Sequence, residues 1–312
     1  MFALRGIAVS LTFFVLFYCL LSTLVVVAWR SLKLLHATEQ RVAALLFGLR
    51  VLPLVAAVAI TFAFVVPSFQ LLEPRSIDEG MGAMPLVLGI CALLLIACGC
   101  FRVITAQATT SRVVARWLEG ARPLDAGAEM VTFRSRREAP PLTLVGVRRA
   151  RVLVSDSTVA LLSHEELQIA LKHELAHMRS RDNLKKLIFR FCPFPGMARL
   201  ESAWSQAAEL AADDAAVSKL DDAVDLAAAL VKLSRLIPVE AAPICTVGFV
   251  TGSISARVAR LLAWDEADKV QPTRIRAWRV IPPAVAALVC VCVTYGPALA
   301  LTHEVTEWLV GG

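Results

Sequence analysis

The stretch His173-Glu174-Leu175-Ala176-His177 decides how this chain is read, because H-E-x-x-H on a helix puts two imidazoles and one carboxylate on adjacent turns. At about 3.6 residues per turn, positions i and i+4 share a face, so His173 and His177 can both reach one zinc ion at roughly 2.0–2.1 Å. Glu174 then sits beside the ion without being a ligand. A hydrolytic zinc needs a third protein ligand and a position for water, whose pKa it lowers to about 7 while a nearby carboxylate takes the proton. Glu174 is placed to be that base. Chance explains the string poorly: with 5 His and 15 Glu in 312 residues, it is expected in only about 0.4% of such chains.

Working outward, Ser163 with Glu166 three residues later is a capping-box signature that starts a helix ahead of His173. Leu167, Leu171, Leu175 and Met178 recur at helical spacing and supply an apolar stripe. Downstream, the Ala-rich run from Trp204 to Asp214 has no Gly or Pro and reads as a second helix, with Glu209 and Asp213 at i,i+4. Alone, these acids would read as a solvated face. With two histidines upstream, Glu209 becomes the expected third metal ligand, Asp213 the acceptor of a bound imidazole's free N–H, and Asp214 a solvent-facing residue.

H-E-x-x-H followed by E-x-x-x-D is similar to the pattern of the gluzincin metallopeptidases. The string from Val152 to Asp182, with Arg181-Asp182 and the Cys192-Pro193-Phe194-Pro195 turn, resembles the membrane metallopeptidases of the beta-lactam sensor-transducer, or antirepressor, type (BlaR/MecR-like). The likeness is sharp over residues 150–220 and architectural elsewhere. It implies one catalytic zinc held by His173, His177 and Glu209, with Glu174 as base and Asp213 behind a ligand, in agreement with the spacing.

Hydrophobic residues make up 57% of the chain, well above an ordinary soluble domain. Uncharged apolar runs at 7–29, 51–72, 84–101 and 281–301 predict four membrane spans, the first too long for a signal-peptide core. Arg30, Lys33, Arg41 and Arg50 crowd the first connection, whereas the second holds Arg75 against Glu73, Asp78 and Glu79. Arg102, Arg112 and Arg116 follow the third span, Lys269, Arg274, Arg276 and Arg279 precede the fourth, and the tail 302–312 has no Lys or Arg. By the positive-inside rule residues 102–280 form a cytoplasmic domain and both termini lie outside a bacterial-type inner membrane. The net charge of +6 is then topogenic, and direct nucleic-acid binding is not expected. Six cysteines fall in the spans; Cys192 and Cys245 fall in the cytoplasmic part, where they stay reduced.

The expected architecture is mainly α: a multi-pass membrane protein with four transmembrane helices and a gluzincin-like zinc peptidase domain carrying a small sheet. Residues 103–128 read as a helix leaving the membrane, and Leu142–Val147 and Arg151–Val154 as short strands. Such an edge could take an extended substrate peptide, or simply cover the zinc helix. Leu184–Met197 reads either as a bilayer-surface helix or as a core helix. Asp221-Asp222 caps a helix running to Leu236, Ser253–Trp264 forms another, and Gly248–Gly252 is a mobile loop between them. His164 reads as a surface residue, and Arg181 and Arg257 are candidates to stabilise an oxyanion. The function implied is a zinc endopeptidase acting on a protein substrate, such as a transcriptional repressor or itself. About eleven residues follow the last span, so the extracellular sensor domain of that type is missing, and a separate sensor protein or the spans would carry the signal. A quality-control protease resembling the membrane heat-shock endopeptidases is the alternative enzyme, disfavoured by three spans before the motif and one after. A non-catalytic membrane scaffold is the alternative of another class.

Overall fold

The computed structural model describes residues 2–31, 37–73, 82–124, 131–135, 139–147, 149–236, 247–248, 254–265 and 294–307. The chain divides into one compact unit from Met1–Leu32, Val51–Cys98 and Gln271–Gly312, and another from Lys33–Arg50 and Gly99–Val270.

The first unit is helical. It holds α1 (Phe2–Ala28), the second half of α2 (Glu39–Ile60), a π turn at Thr61–Val65, α3 (Val66–Leu72), the first part of α4 (Ala83–Leu118) and a helix over 294–307. Three stretches, Phe2–Ser31, Glu39–Leu72 and Ala83–Leu118, are long and apolar enough to cross a membrane. Leu20, Leu24, Phe62 and Leu94 stand exposed on them, as a lipid-facing surface requires. All three exceed the expected spans; most of the fourth, 281–301, lies outside the described residues, and its end falls in the helix over 294–307. The π turn follows from Pro67. Proline has no N–H for Ala63 O, the ladder slips so that Val66 N–H bonds Thr61 O, and the Tyr295 hydroxyl donates to Ala63 O at 2.8 Å. At one end of this unit, Glu73 meets Arg5 at 3.3 Å and His303 at 3.9 Å, drawing residues near both termini to the end of α3.

The second unit carries the H-E-x-x-H segment. Its sheet runs β1-β2-β4-β3-β5, from Arg122–Leu124, Thr132–Ser135, Arg151–Ser155, Leu142–Val145 and Val247–Gly248; β2 and β4 are parallel and the other pairs antiparallel. Leu142, Leu144, Val152 and Val154 share one buried face and join Ile169, Leu171, Leu226, Leu230 and Leu233 in the core. Those partners come from α6 (His164–Ser180) and α9 (Leu220–Ser234), while α5 (Asp156–Leu161), α7 (Asp182–Phe191), α8 (Ala198–Ala216) and α10 (Ile254–Leu262) complete the unit. The capping box at Ser163 and Glu166 is present, and Lys232 ties the same Glu166 to α9 at 2.7 Å.

Several expectations change. The helix read over 103–128 ends at Leu118: Gly120 takes φ 75, open to glycine without penalty, and β1 follows. Strand β3 does not present a free edge, because β5 pairs with it at Thr143 and Leu144, so the sheet covers the helix; Gly248, read as the start of a mobile loop, belongs to that strand. Segment 184–191 is a core helix: Phe189 is buried edge-on to Trp204 with centroids 4.9 Å apart. The basic residue Arg50, expected only as a topogenic charge, is buried, bonding Glu201 Oε1 at 2.8 Å and the carbonyls of Cys192 and Phe189 at 2.5 and 3.3 Å. It thereby satisfies orphan carbonyls at the end of α7. Cys19, Cys91, Cys98 and Cys100 are unpaired and exposed and Cys192 is unpaired and buried, whereas Cys245, Cys290 and Cys292 lie outside the described residues.

A Cβ on Gly99 would overlap the carbonyl oxygen of Phe191, whereas one on Gly48 meets nothing within 4 Å among the described residues. Gly99→Val is predicted to cost about 1–3 kcal/mol through overpacking. Gly48→Ala should be neutral or stabilising by up to ~1 kcal/mol. Thermal unfolding of the detergent-solubilised protein, compared between the two variants, checks both.

Candidate active site

Helices α6 and α8 build the site together. Ala207, Ala208, Ala212 and Ala216 are buried along α8, and these short side chains let its backbone approach α6 closely. Glu209, interspersed among them, can therefore reach the α6 imidazoles. The Nε2 atoms of His173 and His177 are 3.1 Å apart, and the Glu209 carboxylate lies 3.6 and 3.7 Å from them. Ligands at roughly 2.0–2.1 Å around a tetrahedral ion stand about 3.3 Å from one another, so this triangle has the dimensions of a zinc shell. All three residues are buried, and their donor atoms are grouped so that they could hold a metal ion.

Each imidazole is oriented from behind. His173 Nδ1 lies 2.9 Å from Asp213 Oδ1, as the spacing on α8 predicts, and His177 Nδ1 lies 2.7 Å from Asp182 Oδ2. Both contacts leave the Nε2 atoms facing Glu209, which is how metal-bound histidines are held. Asp182 owes its place to a break in the chain. Arg181 ends α6 at φ 55, ψ 40, so α7 turns back and its first residue comes beneath His177. The sequence reading used Arg181-Asp182 only as part of a likeness; the available signal was an acid five residues after the second histidine.

Arg257 has a different place from the oxyanion role considered for it. Its side chain is 4% exposed, its Nε and Nη2 donate to the two Asp213 oxygens at 2.8 and 2.6 Å, and Nη1 donates to Glu209 Oε2 at 3.0 Å. A bidentate clamp of this kind fixes a carboxylate in both position and charge. Arg181 is exposed, His164 is exposed, and Asp214 faces solvent in a pair with Arg260.

The electrostatics follow from burial. Glu174 is 0% exposed, and neither oxygen has a hydrogen-bond partner among the described residues. Burial pushes its carboxyl up to about 7, against the pull of His177 and His173. For His177 burial opposes charge, yet the Glu209 and Asp182 carboxylates override it and push the imidazole up to about 10. Glu209 is held well below the usual carboxylate range: burial works against ionisation, but His177, His173 and Arg257 outweigh it. The buried carboxylates thus favour positive charge at these imidazoles in spite of burial, and a divalent cation held there would answer the same anions. Donor set, spacing and charge all fit zinc.

A model of peptidase family M48 matches residues 143–200. The matched stretch runs from β3 through α6 and α7 to the start of α8, stopping before Glu209. Over it the chain is similar to a metallopeptidase family, which supports the peptidase part of the reading. No curated protein matches the chain.

Asp182→Asn and Asp213→Asn should each weaken zinc binding about 10–100-fold with the helices intact, measured by chelator competition and circular dichroism. Arg257 and a bound cation offset the same carboxylates. Arg257→Gln is therefore predicted to lower the thermal midpoint further in metal-stripped protein than in zinc-loaded protein; equal losses would show that the guanidinium does not share this charge balance.

Proposed function

We propose that this chain is an integral-membrane zinc endopeptidase acting on protein substrates close to the bilayer. The observation that carries the reading is the buried His173, His177 and Glu209 triangle with the unpartnered Glu174 carboxylate next to it. The M48 match over the same helix and three span-capable helices support it. Zinc held by the three ligands would polarise the scissile carbonyl and acidify a water molecule. Glu174 takes the proton from the attacking water and delivers it to the leaving amine, so one carboxyl serves both halves of the reaction. Asp182 and Asp213 keep both Nε2 atoms turned toward the ion, and Arg257 holds Asp213 and Glu209 in place.

The likeness to the sensor-transducer type over residues 150–220 favours a regulatory role, with the peptidase cutting a transcriptional repressor or itself on the cytoplasmic side. The Lys and Arg distribution supports that orientation, and the input would come through the spans or from a separate sensor protein. The M48 match is equally consistent with a quality-control protease. The two differ in substrate number: a regulator shortens one or a few proteins, a quality-control enzyme many unfolded ones.

Glu174→Gln is predicted to retain one zinc per chain and lose cleavage, while Glu209→Ala loses the metal. Comparing proteins shortened in membranes that contain wild type with those that contain Glu174→Gln identifies the substrates. Undiminished proteolysis by Glu174→Gln would reject the mechanism.

A further inference from the structure

Lys185, in the first turn of α7, ties a metal ligand to the packing of α2. Its Nζ donates to Asp182 Oδ1 at 2.9 Å, and the other oxygen, Asp182 Oδ2, stands 2.7 Å from His177 Nδ1. One carboxylate thus bridges an ammonium and the imidazole whose Nε2 lies 3.1 Å from that of His173. An ordinary helical i,i+3 pair is solvated at both ends and contributes little. Here the Asp182 side chain is 4% exposed and that of Lys185 22%. The acid therefore depends on its two partners for its orientation, and the ring it holds turns with it.

Lys185 is itself held from two further helices. Its ammonium lies 5.7 Å from the ring centre of Phe47, on α2, and 5.9 Å from that of Trp204, on α8, within the roughly 6 Å over which a ring face attracts a cation. Trp204 is buried on the helix that carries Glu209 and Asp213. Phe47 also packs against Phe189 with centroids 5.7 Å apart, and Arg50 lies over the same Phe189 ring at 5.5 Å while bonding Glu201. Ala43, Leu46 and Arg50 are buried at i, i+3 and i+7, so the face of α2 beside Phe47 is covered. Past Arg50 the same helix continues to Ile60, within a stretch long and apolar enough to cross a membrane.

We infer that Lys185 is a positioning residue for the zinc ligand His177, acting through Asp182, and that Phe47 and Trp204 hold it there, so that the packing of α2 sets how tightly the metal is gripped. The inference rests on the zinc site of the endopeptidase reading and not on what the enzyme cuts. Its test is chelator competition for zinc on the full-length protein in detergent, with thermal unfolding of the metal-stripped protein followed in parallel. The Lys185 ammonium is partly open to water and screened, so its removal acts chiefly by freeing Asp182. Lys185→Met should weaken zinc binding about three- to tenfold, below the range for groups that touch a ligand. Lys185→Arg, which keeps a cation for both the carboxylate and the rings, should restore most of it. Phe47→Leu, which keeps bulk and removes the ring face, should cost about two- to fivefold, and Phe47→Tyr nothing. In an Asp182→Asn background neither Lys185→Met nor Phe47→Leu should lower the affinity further, because the route to His177 is already cut. Losses that repeat in full in that background, or no loss in the two single variants, overturn the positioning role and leave the zinc site standing. A wild type that binds no zinc removes the site itself, and this inference with it.

Discussion

Anionic charge buried among protein atoms is the constraint on which the second unit is built. Glu209, Asp213 and Asp182 lie against the His173 and His177 imidazoles, Glu174 stands on the same helix, and every one of the four is buried. An isolated carboxylate in such surroundings is strongly disfavoured, and it persists only when paired, hydrogen-bonded or bound to a metal. Asp213 has His173 and both arms of Arg257, and Asp182 has His177 and Lys185. Glu209 shares Arg257 and faces two imidazoles, while Glu174 has no hydrogen bond among the described residues. Such a distribution suits chemistry better than stability. The orienting acids are locked, and the carboxyl expected to move a proton is left to the substrate and water.

The helix that carries this charge was largely legible in the sequence, because its determinants are local. Ser163 and Glu166 cap it, the leucine stripe faces the sheet and α9, and the four-residue interval between the histidines fixes their common face. Glu209 and Asp213 were legible for the same reason, since an alanine-rich run can hardly be other than a helix and their interval matches one turn. What escaped depended on the path of the chain between elements. Asp182 matters only because a left-handed residue, Arg181, redirects the backbone beneath His177, and an arginine carries no signal for that conformation. Arg257 meets Asp213 across 44 residues of sequence, and its pattern on α10 resembles any amphipathic helix with a basic face. Strands β1 and β2 were missed because each is three or four residues long, too short for alternation to show.

The membrane part obeys different physics. Where lipid replaces water as the surroundings, an apolar face needs no explanation and an unpaired backbone group does. Pro67 illustrates the point: it removes one ladder bond, the helix slips into a π turn, and the Tyr295 hydroxyl reaches the carbonyl left over. Three of the apolar runs read from hydropathy fall on helices long enough to span, but this repair depends on a side chain more than two hundred residues away. Likewise the first connection, read as a charged linker, contributes Arg50 to the packing of α7 and α8.

The central claim is one zinc ion gripped by two imidazoles and a carboxylate, and X-ray absorption at the zinc edge of the purified full-length protein tests it most directly. The account predicts a shell of nitrogen and oxygen at about 2.0–2.1 Å with the scattering of two imidazoles. Absence of bound zinc, or sulfur neighbours at about 2.3 Å that would place the ion on cysteines instead, would contradict it.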